Sequence, residues 1–204
     1  MRITELKQVL SDIVQLTTED GPVFFIRKFY LTSINDSDLF AGREFTDDKE
    51  EELIFAGLAF AAEKKACEYL ARCEQCRFNL EKKLIQKQYD KKAIQQALDF
   101  LEEKNLLSDK RFSESWLKSH TISKPQGVTR LYSELLSRGI KSTTAKEALK
   151  NFFEENSEED FCRKALKKAV KIGKSGDKLK KFLFDSGFSY KLINQVVGEL
   201  SPDC

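Results

Sequence analysis

The sequence has one histidine, His120, and no second Cys-x-x-Cys to accompany Cys73-Glu-Gln-Cys76, so the usual four-ligand zinc set is missing. A redox role for that cysteine pair needs a preceding strand and a βαβ setting, and neither surrounds it. P-loop, dinucleotide, G-x-S-x-G and H-E-x-x-H patterns are all absent. His120 lacks a nucleophile or carboxylate at local spacing. It falls at the expected end of a helix, where an imidazole interacts favourably with terminal carbonyls. No catalysis, metal or cofactor is expected. No apolar run approaches the roughly 18 residues of a membrane span, and MRITELKQVL is charged where an export signal needs an unbroken apolar stretch. A cytoplasmic chain with no membrane role is expected. Its five cysteines (Cys67, Cys73, Cys76, Cys162 and Cys204) are odd in number and read as reduced thiols.

What is present is ample apolar material and an uneven charge. The 204 residues, 41% of them hydrophobic, suffice for one large or two small domains with a real core. Residues 1–60 hold 6 Lys/Arg against 12 Asp/Glu, whereas residues 61–204 hold 29 against 21. Between residues 163 and 191 ten Lys/Arg meet only Asp177 and Asp185. Such a basic surface attracts polyanions, nucleic acid first, although a lysine-rich helix face also serves solubility alone.

β-Branched and aromatic runs flank Glu19-Asp20-Gly21-Pro22, which is turn chemistry, and predict a β-hairpin over residues 12–29. This is the one convincing strand signal. The stretch TSINDSDLFAGREF predicts a short helix and loop. From Thr46 an acidic first turn and an alanine-rich, proline-free run predict a long helix over 47–71. Its apolar side is expected to be broad: Leu53, Ile54, Phe55, Leu58, Phe60 and Ala61.

Downstream, three segments superimpose. Leu80, Leu131 and Leu179 fall in register; so do Leu84, Leu135 and Leu183; Tyr89, Ile140 and Phe188; Ile94, Ala145 and Ile193; and Leu101, Phe152 and Leu200. Each copy reads as a helix, a turn at Gln88, Gly139 or Gly187, an N-cap candidate (Asp90, Ser142, Ser189) and a second helix. One further helix precedes each pair: the long one, then 108–120, then about 158–172. Phe112, Trp116 and Leu117 read as core residues of the second unit. The expected architecture is mainly α, with tandem three-helix repeats forming an elongated curved array after a small N-terminal β-hairpin and long helix. Boundaries are expected at 1–46, 47–104, 105–155 and 156–204.

Residues 69–119, from Tyr69-Leu70-Ala71-Arg72 through Asp109-Lys110-Arg111-Phe112, resemble the first repeat of the bacterial RecX regulatory proteins. Gly127, Arg130, Leu131, Glu134, Leu135, Arg138, Gly139 and Ile140 resemble that family's second-repeat motif. The family's Tyr-Gly-Pro before this repeat stands here as Lys124-Pro125-Gln126-Gly127, and Cys73 and Cys76 occupy positions that are arginine-rich in the family. The resemblance spans residues 60–200. It implies a non-enzymatic modulator that lies in the groove of the RecA filament on single-stranded DNA and suppresses strand exchange, ATP hydrolysis and co-protease activity.

Candidate contacts to RecA or DNA are Arg72, Arg77, Lys82, Lys83 and Lys87 in the first unit. Arg111, Arg130 and Arg138 stand at family motif positions. Lys164, Lys167, Lys168, Lys171, Lys178, Lys180 and Lys181 form a C-terminal basic patch. Arginine's planar fork pairs bidentately with carboxylate or phosphate, which favours the arginines. Phe161, Phe182, Phe184, Phe188 and Tyr190 lie among these lysines and are candidates for base stacking, with Phe182 and Phe188 also suiting the core. A monomer is expected, with single-stranded DNA as the nucleic acid and double-stranded DNA as a further polyanion. The alternatives are a stand-alone helix-turn-helix-like DNA-binding protein and a helical scaffold for another protein.

Overall fold

A computed structural model describes residues 1–19, 21 and 23–199. Asp20 and Pro22 of the expected turn, and Leu200 and Cys204, lie outside the described residues. Two compact units divide at Leu107/Ser108.

The first unit opens with a three-stranded antiparallel sheet, β1 (Ile3–Leu10), β2 (Ile13–Thr18) and β3 (Phe24–Arg27), in that order. The expected hairpin is β2 with β3, where Val14 pairs with Ile26 and Leu16 with Phe24. Strand β1 corrects the sequence reading. At the sheet edge it buries fully only Ile3, so its polar residues dilute the alternation that marks a half-buried strand. Lys28–Tyr30 and Asp36–Asp38 are single 3-10 turns.

Helix α1 (Asp47–Leu70) begins at Thr46 with Asp47, Asp48 and Glu50 in its first turn, as the acidic start predicts. Its buried face is the expected one only in part: Leu53 is buried and Phe55 and Phe60 pack half-buried against the core, but Ile54, Leu58 and Ala61 are exposed. Leu53, Ala56, Ala59, Ala62, Glu63 and Ala66 are buried, whereas Ile54 and Leu58 are 47% and 44% exposed. The stripe of alanines lets α3 (Lys91–Glu103) and strand β3 approach α1 closely, and the sequence reading gave weight to the larger side chains instead. Helix α2 (Arg77–Gln86) packs on α1 and α3.

The sheet is tied to α1 through a buried ion pair. Arg27 on β3 donates Nε to Glu63 Oε2 at 2.8 Å and Nη2 to Oε1 at 2.5 Å, and Tyr30 Oη donates to Oε2 at 2.9 Å. Asp12 also pairs with Arg27, whose guanidinium lies 4.5 Å from the Phe100 ring centroid. Burial works against the Arg27 charge, but Glu63 and Asp12 more than offset it and raise its pKa. Burial, and then the Glu63 charge, raise the pKa of the Tyr30 hydroxyl and keep it a donor.

The second unit holds α4 (Asp109–Ser123), α5 (Val128–Ser137), α6 (Ser142–Glu155), α7 (Glu158–Lys171), α8 (Gly176–Asp185) and α9 (Tyr190–Gly198). Helix α6 packs on α4 and α5, and α7, α8 and α9 pack on one another. Across the three trios the aligned leucines are buried: Leu84, Leu135 and Leu183 at 0%, Leu80 and Leu131 at 0%, Leu179 at 8%. Gln88, Gly139 and Gly187 all adopt left-handed backbone, with φ of 63°, 77° and 94°. After each, the next residue's N–H closes the helix on the same carbonyl: Tyr89 on Leu84, Ile140 on Leu135, Phe188 on Leu183. Asp90 and Ser189 cap α3 and α9 as expected, accepting from Ala93 N and Leu192 N. In the second copy Lys141 occupies the cap in place of Ser142, whose hydroxyl meets Tyr132 Oη at 2.9 Å.

Within the second unit, Gly127 at the start of α5 meets the α8–α9 turn backbone to backbone. Its N–H donates to Ser186 O at 3.0 Å, and a Cβ placed there would stand 2.4 Å from Gly187 O. A Cβ on Gly187 would stand 2.4 Å from Arg130 N. This double-glycine contact joins the trio α4–α6 to the trio α7–α9.

Candidate nucleic-acid and partner interface

The candidate cations fall into two physical classes, one already satisfied by acids of the fold and one left free. In the first unit Arg77 is committed. It joins α2 to α3 through Asp99 and Glu102, each at 2.7 Å, and through Gln95 Oε1 at 2.7 Å. Burial lowers the Arg77 pKa and those carboxylates outweigh it. Lys83 donates to Gln75 Oε1 at 2.8 Å and lies 5.0 Å from the Tyr69 ring. Lys82 covers the exposed Phe78 ring at 4.1 Å. Arg72 and Lys87 are exposed, and Lys87 lines a shallow groove with Lys64, Lys65 and Tyr89.

In the second unit the motif arginines are organised by one carboxylate. Glu134 on α5 takes Arg138 Nη1 on Oε2 at 2.7 Å and Arg130 Nη2 on Oε1 at 3.0 Å. The Arg138 hydrogen bond holds the Glu134 carboxyl below its ordinary range against modest burial, which by itself would raise it. The Arg138 guanidinium lies 4.5 Å from the Trp116 ring centroid, and Trp116 stacks on His120 at 4.3 Å. His120 Nε2 meets Gln126 Oε1 at 2.9 Å. The histidine therefore serves the packing of α4 against the Gln126 loop, one turn before the helix end at Ser123. Phe112 and Leu117 are core as expected, whereas Trp116 is half-buried between a cation and an imidazole. Arg111 is half-buried in the first turn of α4.

The lysines of the basic patch differ. Lys164, Lys167, Lys168, Lys171, Lys178 and Lys181 are exposed and Lys180 half-exposed, and none forms an ion pair within 4 Å among the described residues. Lys164 and Lys168, with Lys118 of α4, line a groove of about 690 Å³ beside Phe161, Asn156 and the 86% exposed Ile122. Of the aromatics, Phe161 and Phe188 are buried and Phe182 half-buried under Lys174. Phe184 and Tyr190 are exposed and stack on each other.

The sequence does not display the acids that select between these classes. Glu102 lies 25 residues from Arg77, and only the α2–α3 packing brings them together. The Glu134 pairings sit at i, i+4 on one helix face and are legible from spacing. Among the described residues no group of three or more His, Cys, Asp or Glu is placed to hold a metal, and no helix is long and apolar enough to cross a membrane.

Residues 108–149 match the family model for the second three-helix domain of RecX. The chain is 30% identical over 154 residues to the regulatory protein RecX of Treponema pallidum (strain Nichols), covering 76% of this chain and 94% of that one. It is 23% identical to the regulatory protein RecX of Clostridioides difficile (strain 630), covering 97% and 95%. A crystal structure of regulatory protein RecX superposes with a TM-score of 0.75 at 17% identity, over 97% of this chain and 98% of that one. The RecX structure from Lactobacillus salivarius gives 0.60 at 22% identity, over 70% and 96%. These two likenesses establish the fold; with the extended sequence identity, the chain belongs to the RecX family of regulatory proteins.

Proposed function

We propose that the protein binds the RecA recombinase filament on single-stranded DNA in the cytoplasm and restrains its strand exchange, ATP hydrolysis and co-protease activity, thereby tempering recombinational repair and the SOS response. The observation that carries this reading is family membership over most of the chain. In this reading residues 47–104, 105–155 and 156–204 act as three repeats, each presenting cations, and residues 1–46 are an extension. The lysines of α7 and α8 supply the physical support, since among the described residues they pair with no acid and need displace none to meet a phosphate or a carboxylate. Arg130 and Arg138 contribute forks that an acidic patch on a filament subunit can take over from Glu134.

The test is RecA-catalysed strand exchange and ATP hydrolysis on single-stranded DNA, with the protein at stoichiometric and lower amounts. Both rates fall in this reading, and unchanged rates refute it. Mobility shifts on strands of different sequence, with and without RecA, separate it from stand-alone DNA binding, which prefers one sequence and gains nothing from a filament.

A further inference from the structure

Phe184 on α8 and Tyr190, the first residue of α9, stack with ring centroids 4.5 Å apart and planes 24° apart. They are 46% and 59% exposed, while the core beneath is completed by Leu179, Leu183, Phe188, Ile193 and Val196. Among the described residues no cation and no third ring lies over either of them. The stack thus leaves aromatic faces to solvent that the fold does not use. Lys180 and Lys181 precede Phe184 by one helical turn, Lys191 adjoins Tyr190, and Asn194 follows it by one turn. These three lysines form no ion pair among the described residues, and within five positions of either ring in the sequence Asp185 is the one acid.

We propose that the Phe184–Tyr190 stack is a base-stacking platform for single-stranded DNA, with Lys180, Lys181 and Lys191 receiving the flanking phosphates. This rests on the reading of single-stranded DNA as a partner and assigns it a place. Ring faces alternating with cations match the alternation of bases and phosphates along an unpaired strand, and stacking tolerates any base because each has a π-face. A duplex turns its base faces inward and offers the platform only phosphates. An acidic protein surface is the rival occupant. It would meet the lysines equally well and would leave the paired rings without a matching partner.

The test is fluorescence anisotropy of the full-length protein with labelled oligo(dT) and with an abasic strand of equal length. Wild type binds oligo(dT) more tightly than the abasic strand. Tyr190→Ala and Phe184→Leu each weaken oligo(dT) binding about tenfold and leave abasic binding unchanged, Tyr190→Phe retains wild-type affinity, and Lys181→Gln weakens both ligands. Equal wild-type affinity for the two strands, or no binding to either, overturns the proposal without any variant. So does a Tyr190→Ala protein that binds DNA normally but RecA filaments poorly, which assigns the surface to a protein partner. If strand exchange and ATP hydrolysis are untouched by wild type while the preference for oligo(dT) persists, the reading as a RecA regulator fails and the platform stands.

Discussion

Gly127→Ala tests the junction between the trios α4–α6 and α7–α9. The new methyl group would sit 2.4 Å from Gly187 O, 2.5 Å from Gly187 C and 2.8 Å from Phe188 N. All three are backbone atoms, so no side chain can swing aside and the α8–α9 turn must move. Forced overpacking costs about 1–3 kcal/mol. The hydrogen bond from Gly127 N to Ser186 O, 3.0 Å long, is lost with the same movement at about 1 kcal/mol. The expected loss is about 2–4 kcal/mol, or about 10–30 °C for a unit of this size. Trp116 is the only tryptophan of the chain and stands on α4 of the same unit, so urea unfolding followed by its fluorescence reads the change directly. Gly187→Ala is expected to cost more, because its φ of 94° adds backbone strain to a contact of 2.4 Å with Arg130 N. Gly198→Ala is the control: an added Cβ would meet no atom of the described residues within 4 Å beyond its chain neighbours and its own helix backbone, and its midpoint stays level or rises slightly. A Gly127→Ala midpoint equal to that of Gly198→Ala would show that the two trios do not meet through this contact.

Glu63→Ala leaves Arg27, whose side chain is only 13% exposed, with Asp12 as its remaining acid and takes the acceptor from the buried Tyr30 hydroxyl, and costs about 3 kcal/mol, the low end for breaking a buried pair, in urea unfolding followed by far-UV circular dichroism. The replacement of all three partners, Arg27→Met and Tyr30→Phe with Glu63→Leu, recovers most of that loss by leaving no buried polar group unpaired, and a triple variant as unstable as Glu63→Ala contradicts the account. Glu52 is one contributor to acid stability: slight burial would raise its carboxyl, yet hydrogen bonds from the Ser33 hydroxyl, the Thr32 and Ser33 amides and the Thr32 hydroxyl bring it down to about 2. A carboxyl depressed on folding contributes fully above its unfolded pKa of about 4.3 and loses that contribution as pH falls towards the folded value. The drop in Tm between pH 4.3 and 2 is therefore shallower in Glu52→Gln than in wild type, and parallel Tm curves would rule this out.

The repeats are legible in the sequence because their spacing is carried by leucines, which have one reason to recur at fixed intervals, and by turns that need left-handed backbone. Gln88 shows the limit of the glycine signal, since it adopts φ 63° with a side chain. Helix α1 is legible in extent and only partly in face, with Leu53 buried as expected and Ile54 and Leu58 exposed. Alanines carry little weight in an apolar pattern, yet Ala56, Ala59, Ala62 and Ala66 make the contact because they are small. Strand β1 hides behind exposed Thr4, Glu5 and Gln8. At the candidate interface, the positions of the cations are legible and their availability is not. Whether an arginine is free depends on acids that the fold delivers from elsewhere, as Glu102 is delivered to Arg77.

Glu134 already occupies two guanidinium forks, so any incoming anion must trade places with a carboxylate that belongs to the protein. Lysines on α7 and α8 have no such tenant to evict. If the proposed partners bind here, first encounters would fall to the lysines, be quick and fade with ionic strength. Dwell time would then fall to the arginines, through a carboxylate exchange that distinguishes a planar acidic partner from a diffuse cloud of negative charge.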